Sequence, residues 1–274
     1  MRLMQCTVRL TVCLLVAAGL VAPSALAQSG DNSSTKTSYR KAHASDRLFL
    51  GFAEEASLVD RQWWEGQLEF QDGDLADATI LRGVAAFQPW DDFEVGGKVG
   101  FGDTDANGLT PDGSGATDLD LWGKFHFGNR DGNEYAAGVT LIVPTGDDTA
   151  GLGLDAFSAG GFLSMRRQMK GWTFNGNVGL AFNDDGQVFG MGLDGETSFT
   201  VGAAGLIPIG DRTTFVGEAR YQSERFDGFD SDTRILGGLN FHVTDGGLFR
   251  VALGLGLSDG APDAQLIAGY ASTF

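Results

Sequence analysis

The chain has 274 residues, with 19 Lys and Arg against 36 Asp and Glu, a formal net charge of −17. So acidic a chain repels nucleic acid rather than binding it. Mean hydropathy is near zero, and no apolar run of spanning length follows the first 27 residues, which excludes a helical membrane protein.

The chain opens on a removable leader. Arg2 and Arg9 supply positive charge, Leu10 to Val21 form an apolar run, and Ala25-Leu26-Ala27 provide the small-x-small cleavage pattern. Residues 1–27 therefore read as a signal peptide. Cys6 and Cys13 both lie inside it. The processed chain would have no thiol, disulfide or cysteine metal site, so a disulfide-stapled secreted domain is excluded. Without the two leader arginines it carries 17 basic against 36 acidic side chains, a net −19.

Residues 28–62 read as a periplasmic lead-in or plug. Up to Ser45 they are polar, as in a mobile segment. Arg47 to Asp60 then holds the apolar patch Leu48-Phe49-Leu50-Gly51-Phe52. A strand, a periplasmic helix and a plug all fit this stretch, and the three readings stay open.

From residue 63 onward hydrophobic residues fall on every second position. Trp64, Leu68 and Phe70 oppose Glu65, Gln67 and Glu69; Phe93, Val95, Val99 and Phe101 oppose Glu94 and Lys98. The pattern recurs over 118–127, 172–182 and 234–243, with weaker strands at about 78–87, 135–143, 156–165, 197–206, 213–222, 248–257 and 265–274. Short connections (88–92, 128–134, 166–171, 207–212, 244–247) alternate with generally longer, Gly- and Asp-rich ones (71–77, 102–117, 144–155, 183–196, 223–233, 258–264). Twelve strands with both ends on the periplasmic side need five turns and six outer loops, as found here.

This predicts a twelve-stranded antiparallel transmembrane β-barrel over 63–274, in the bacterial outer membrane. Its competitor is a soluble β-sandwich or lipocalin-like barrel. The aromatics favour the membrane: Trp64, Phe70, Phe87, Phe93, Phe101, Phe127, Tyr135, Trp172, Phe182 and Phe274 lie near strand ends on the apolar face, as an interfacial girdle does. The 42 glycines suit a wall that must curve and pack closely. The expected partners are outer-membrane lipid and lipopolysaccharide, small-molecule solutes, and the barrel-assembly machinery through the terminal strand ending at Phe274.

Ala116-Thr117-Asp118-Leu119-Asp120-Leu121-Trp122-Gly123-Lys124, a strand from Tyr135 to Val143, and Pro144-Thr145-Gly146-Asp147 follow one another in order. This order resembles the outer-membrane barrel family labelled meta-pathway of phenol degradation. The resemblance is clearest over 95–185. It implies an outer-membrane barrel and, by inference for the family, uptake of aromatic compounds. The residues themselves mark no phenol pocket. Pro144 to Asp147 also read as a plain strand terminator, since proline cannot donate to a ladder and Thr-Gly-Asp favours a turn.

Strand parity turns Glu65, Glu69, Arg82, Glu94, Lys98, Asp120, Lys124, His126, Glu218, Arg220, Arg234, His242 and Arg250 into the lumen. Acids facing bases across a pore set a transverse field that selects solutes; alternatively the charges pair across a narrow barrel and close it. Asp103, Asp105 and Asn107 match the first half of a calcium loop, but Ser114 stands where a bidentate glutamate belongs. No cofactor is expected beyond weak Ca²⁺ at that outer loop; a plain acidic loop is the alternative. An enzyme is disfavoured: the histidines are His43, His126 and His242, and neither G-x-S-x-G nor H-E-x-x-H occurs. The expected function is passive passage of small solutes, aromatic or hydrophobic compounds included, through a narrow charged lumen. The alternative is a non-conducting structural or surface-interaction barrel whose acidic loops bind partners.

Overall fold

Alternation over so many segments has one economical solution, a sheet that closes on itself with its two faces in different solvents. The computed structural model describes residues 46–73, 76–106, 112–130, 132–244 and 246–273. The leader with Cys6 and Cys13, the lead-in with His43, Asn107 and Phe274 lie outside the described residues. The strands are β1 (Gln62–Asp72), β2 (Ala76–Trp90), β3 (Phe93–Ala106), β4 (Gly113–Ala116), β5 (Leu119–Arg130), β6 (Asn133–Val143), β7 (Ser158–Met169) and β8 (Trp172–Asn183). They continue with β9 (Gly186–Val188), β10 (Met191–Leu193), β11 (Thr197–Pro208), β12 (Thr213–Gln222), β13 (Asp232–His242), β14 (Gly247–Gly256) and β15 (Ala264–Thr273).

Each wall strand pairs antiparallel with its neighbour, and β1 pairs with both β2 and β15, so the sheet closes. Twelve strands circle the barrel. The short β4 extends the wall beside β3, and β9 with β10 forms a separate hairpin in a long connection. The protein is an all-β transmembrane barrel of the outer-membrane type.

The elements differ from the expected ones mainly at their ends. β3 runs on to Ala106 because Asp103 and Asp105 pair with Thr79 and Asp77 of β2, and Asp103 also faces Ser114 of β4. Ladder pairing here overrides the low strand preference of aspartate. β7 likewise extends through Arg166 to Met169, into what reads from sequence as a turn. Gly132 and Gly171, with φ of 78° and 87°, supply the left-handed backbone of two short turns.

In β1, Trp63, Glu65, Gln67 and Glu69 are buried, while Trp64, Leu68 and Phe70 are exposed. Leu81, Phe101, Phe182 and Leu253 each expose 60% or more of their surface on the outer wall. A sandwich would hide such side chains in a core; here they form a belt around the outside, and the polar face is the buried one. Rings cluster at both rims: Trp64 with Tyr270 (5.8 Å) and Phe127 with Tyr135 (6.3 Å) at the short-turn end, Phe199 with Tyr221 (5.4 Å) at the other. This is the expected pair of interfacial girdles.

Candidate functional site

Asp46 to Asp60 forms neither strand nor helix and lies buried inside the barrel at its short-turn end. The segment, called the plug below for where it lies, packs among inward side chains of the wall. Its apolar side chains fill the lumen in two clusters. Leu48 and Phe49 pack on Leu206, Val216, Leu236 and Ile267; Phe52 and Val59 pack with Trp63, Val84, Trp122 and Leu248. The wall makes room through inward glycines: a Cβ at Gly238 would lie 2.6 Å from the Phe49 ring, and one at Gly96 would run into the Trp122 ring. The plug joins β1 at Arg61, whose φ of 65° is left-handed and costs a non-glycine residue about 1–2 kcal/mol.

The plug backbone is satisfied by wall side chains rather than by a ladder. Glu218 accepts the successive amides of Phe49, Leu50 and Gly51. Asn175 Oδ1 accepts from Ala56 N at 3.2 Å, and Glu94 accepts from Val59 N at 2.6 Å. Glu94 also accepts from Trp122 Nε1 (3.0 Å) and pairs with Lys124 (3.1 Å), whose ammonium donates to the Glu55 carbonyl. Arg250 pairs with Glu65 at 2.6 Å and donates to the carbonyls of Arg47 and Leu48. Asp46 accepts from Thr214 Oγ1 (2.6 Å) and Asn240 Nδ2 (3.2 Å) and lies 2.9 Å from His242 Nε2. Within the plug, Glu55 pairs with Arg47 and, across the gap, with Arg166. Unpaired, any of these buried charges would be costly, so the network fixes where the plug sits.

The structure thus places Glu94, Lys124, Glu218, His242 and Arg250 against the plug, with Glu65 beside Arg250. Arg82 pairs with Glu69, Arg234 with Asp232, and Lys98 with Asp120 (2.7 Å). Arg220 reaches Glu54 of the plug at 3.6 Å. His126 is half-buried on the Lys124 side of β5, and its backbone amide donates to Asp92 O at 2.8 Å. Asp103 and Asp105 sit on the exposed face of β3, paired with β2, and Asn107 lies outside the described residues. Among the described residues, no three His, Cys, Asp or Glu side chains come together to hold a metal ion.

Several residues of the site were hidden from sequence reasoning. Arg166 would have been found by running the β7 alternation one step past Ser164. Arg225 lies in a long connection, where parity says nothing. The plug acids Asp46, Glu54 and Glu55 belong to a segment with no period at all.

Between the plug and the long connections lies a cavity of about 250 Å³. Leu50, Phe52 and Glu54 form its floor; Lys98, Asp120, Phe162, Asn183, Arg220 and Arg225 are among its walls. Arg225 is held by neutral partners, Asn183 Oδ1 at 3.3 Å and Ser158 Oγ at 3.1 Å, and lies 5.4 Å from the Phe226 ring. Burial pushes its guanidinium below the ordinary arginine value, with the Asp120 carboxylate opposing. Above the cavity, Asp118 accepts from Gly146 N (2.9 Å) and Leu154 N (3.1 Å), tying down the connection that Pro144-Thr145-Gly146-Asp147 begins. Asp147 accepts from the Thr149 hydroxyl (2.6 Å) and Ala150 N (3.1 Å), which hold its carboxyl below the usual aspartate range.

The barrel's shape matches solved outer-membrane proteins. The KdgM porin aligns at 11% identity over 77% of this chain and 99% of its own, with a TM-score of 0.55. The NanC porin aligns at 10% identity over 77% and 100%, with a TM-score of 0.56. The β domain of the Bordetella autotransporter BrkA aligns at 15% identity over 78% and 99%, with a TM-score of 0.51. At these identities the likeness establishes the fold. No family model matches the chain, and no curated protein matches its sequence.

Proposed function

We propose that the protein sits in the bacterial outer membrane and passes small solutes passively, with the plug closing the lumen in the state seen here. One observation carries this reading. The plug is held by side chains, with no strand of its own in the sheet, so it can withdraw without breaking a single ladder. A cavity lined by both charged and apolar side chains already lies on its outer side. Lipid and lipopolysaccharide would surround the belt, and the assembly machinery would engage the terminal strand. The fold shared with the KdgM and NanC porins supports passage of small solutes. The resemblance over 95–185 to the phenol-degradation barrels suggests aromatic compounds as cargo.

A second reading keeps the plug in place permanently, giving a non-conducting barrel that works through its loops. The buried Arg250–Glu65 and Lys124–Glu94 pairs beneath the plug favour it. Single-channel recording of the purified protein in planar bilayers, under a salt gradient, separates the two. Discrete openings are expected. A folded but silent barrel would overturn the channel reading.

A further inference from the structure

Two guanidinium groups, Arg220 and Arg225, line the cavity above the plug. Arg220 stands directly opposite Arg234 in the β12–β13 register, and like charges so opposed destabilise a sheet unless each is answered. Arg234 is answered by Asp232 beside it. Arg220 is answered only loosely, by Glu54 at 3.6 Å and the Leu50 carbonyl at 3.5 Å, with both side chains of the pair partly open to water. An ion pair of that length and exposure is weak. Arg225 enters the same cavity held by neutral groups. Lys98 and Asp120, also in the lining, pair at 2.7 Å, and the Asp120 carboxylate acts on Arg225 as well. Between the walls the surface is apolar: Leu50 and Phe52 on the plug, Phe162 on β7.

We infer that this cavity binds a small organic carboxylate with an apolar body, which takes the place of Glu54 at Arg220 and engages Arg225. The plug presents the resident carboxylate, and a solute of matching charge substitutes for it. The apolar body then rests on Phe52 and Phe162, in a space of about 250 Å³ that suits a single ring or short chain. Arginine suits the task because its planar fork can donate twice to a carboxylate. Displacing Glu54 removes one of the contacts that hold the plug's inner turn, so solute binding and plug release favour each other to the same degree. The inference rests on the channel reading and names its solute class.

The test is calorimetric titration of the barrel, purified from the outer membrane into detergent, with benzoate and with the neutral isostere benzamide. Benzoate is expected to bind saturably and benzamide about tenfold more weakly or worse, the worth of a charge-assisted hydrogen bond. Arg225→Gln and Arg220→Gln should each lower benzoate affinity about tenfold, with Arg225→Lys in between. Glu54→Gln removes the competitor and should raise affinity by up to about fivefold. A merely structural role for Glu54 would not do that. Benzoate binding no tighter than benzamide, or weaker in Glu54→Gln, overturns the inference. Should the arginine variants fail to fold, Glu54→Gln still decides, since its side chain is partly exposed. Conductance of the same preparations separates the two claims. Arginine-dependent benzoate binding without openings sustains the site and sinks the channel, whereas openings without benzoate binding do the reverse.

Discussion

Arg250 of β14 reaches past β15 to Glu65 of β1, Nη1 to Oε2 at 2.6 Å, with both side chains fully buried. Gly269 on β15 leaves the path clear: a Cβ there would lie 3.0 Å from Glu65 Oε1. The same guanidinium donates at 2.8 Å to the carbonyls of Arg47 and Leu48 and lies 4.2 Å from the Phe49 ring. One cation therefore holds both the wall and the plug. Arg250→Ala leaves Glu65 buried without its partner, a loss of about 3–5 kcal/mol. The expected result is a lower unfolding midpoint in detergent, read by heat-dependent gel mobility, together with faster proteolysis within 46–60. Arg250→Ala/Glu65→Gln should recover part of that loss, because the stranded charge is gone.

Plug movement is directly testable, because the processed chain is expected to contain no cysteine. A Cβ at Gly51 would lie 3.5 Å from Asn177 Nδ2 of β8, so plug and wall meet there, and a Gly51→Cys/Asn177→Cys pair is the cross-link to make. Oxidised protein should be silent in planar bilayers, and reduction should restore openings. Equal conductance in both redox states would show that solutes bypass a stationary plug.

Phe49 is the largest apolar plug residue in the cluster around Leu206 and Val216. Phe49→Ala empties that seat and should weaken docking by up to about 3–5 kcal/mol while leaving the wall ladders intact. Longer or more frequent openings at unchanged strand content by circular dichroism would be the signature.

Asp147 gives the outer connection a pH dependence. Its carboxyl is held below the usual aspartate range, chiefly by the Thr149 hydroxyl and then by the Ala150 amide. A depressed value means the ionised form is the one bonded. The turn is therefore fully held above the ordinary aspartate range and loosens as pH falls through the depressed value. Hydrogen-exchange protection of the Ala150 amide should drop only in that acid window, and Asp147→Ala should lose it at every pH. Protection that is flat with pH in the wild type would rule this out.

Every wall strand was legible in the sequence because a barrel wall has period two and solvents of opposite polarity on its two faces. Trp64, Leu68 and Phe70 against Glu65, Gln67 and Glu69 state that contrast locally, within one strand, without any tertiary information. Strand ends were less legible. Asp103 and Arg166 belong to strands only because a neighbouring strand offers them ladder partners, and ladders are made between segments, not within one. Parity assigned the charges to the inner face. It did not tell what they meet there.

The sequence by itself determined the barrel and its strand number, since both follow from short-range alternation and connection length. The tertiary structure alone decided that Asp46 to Asp60 fills the lumen. It also turned Glu218, Glu94 and Arg250 into anchors for that plug, and gathered Arg220 and Arg225 over an apolar floor. The plug has no period, and its amides find partners more than a hundred residues away in Asn175 and Glu218. Such contacts arise only when the sheet has closed and leaves a polar interior that must be satisfied or filled.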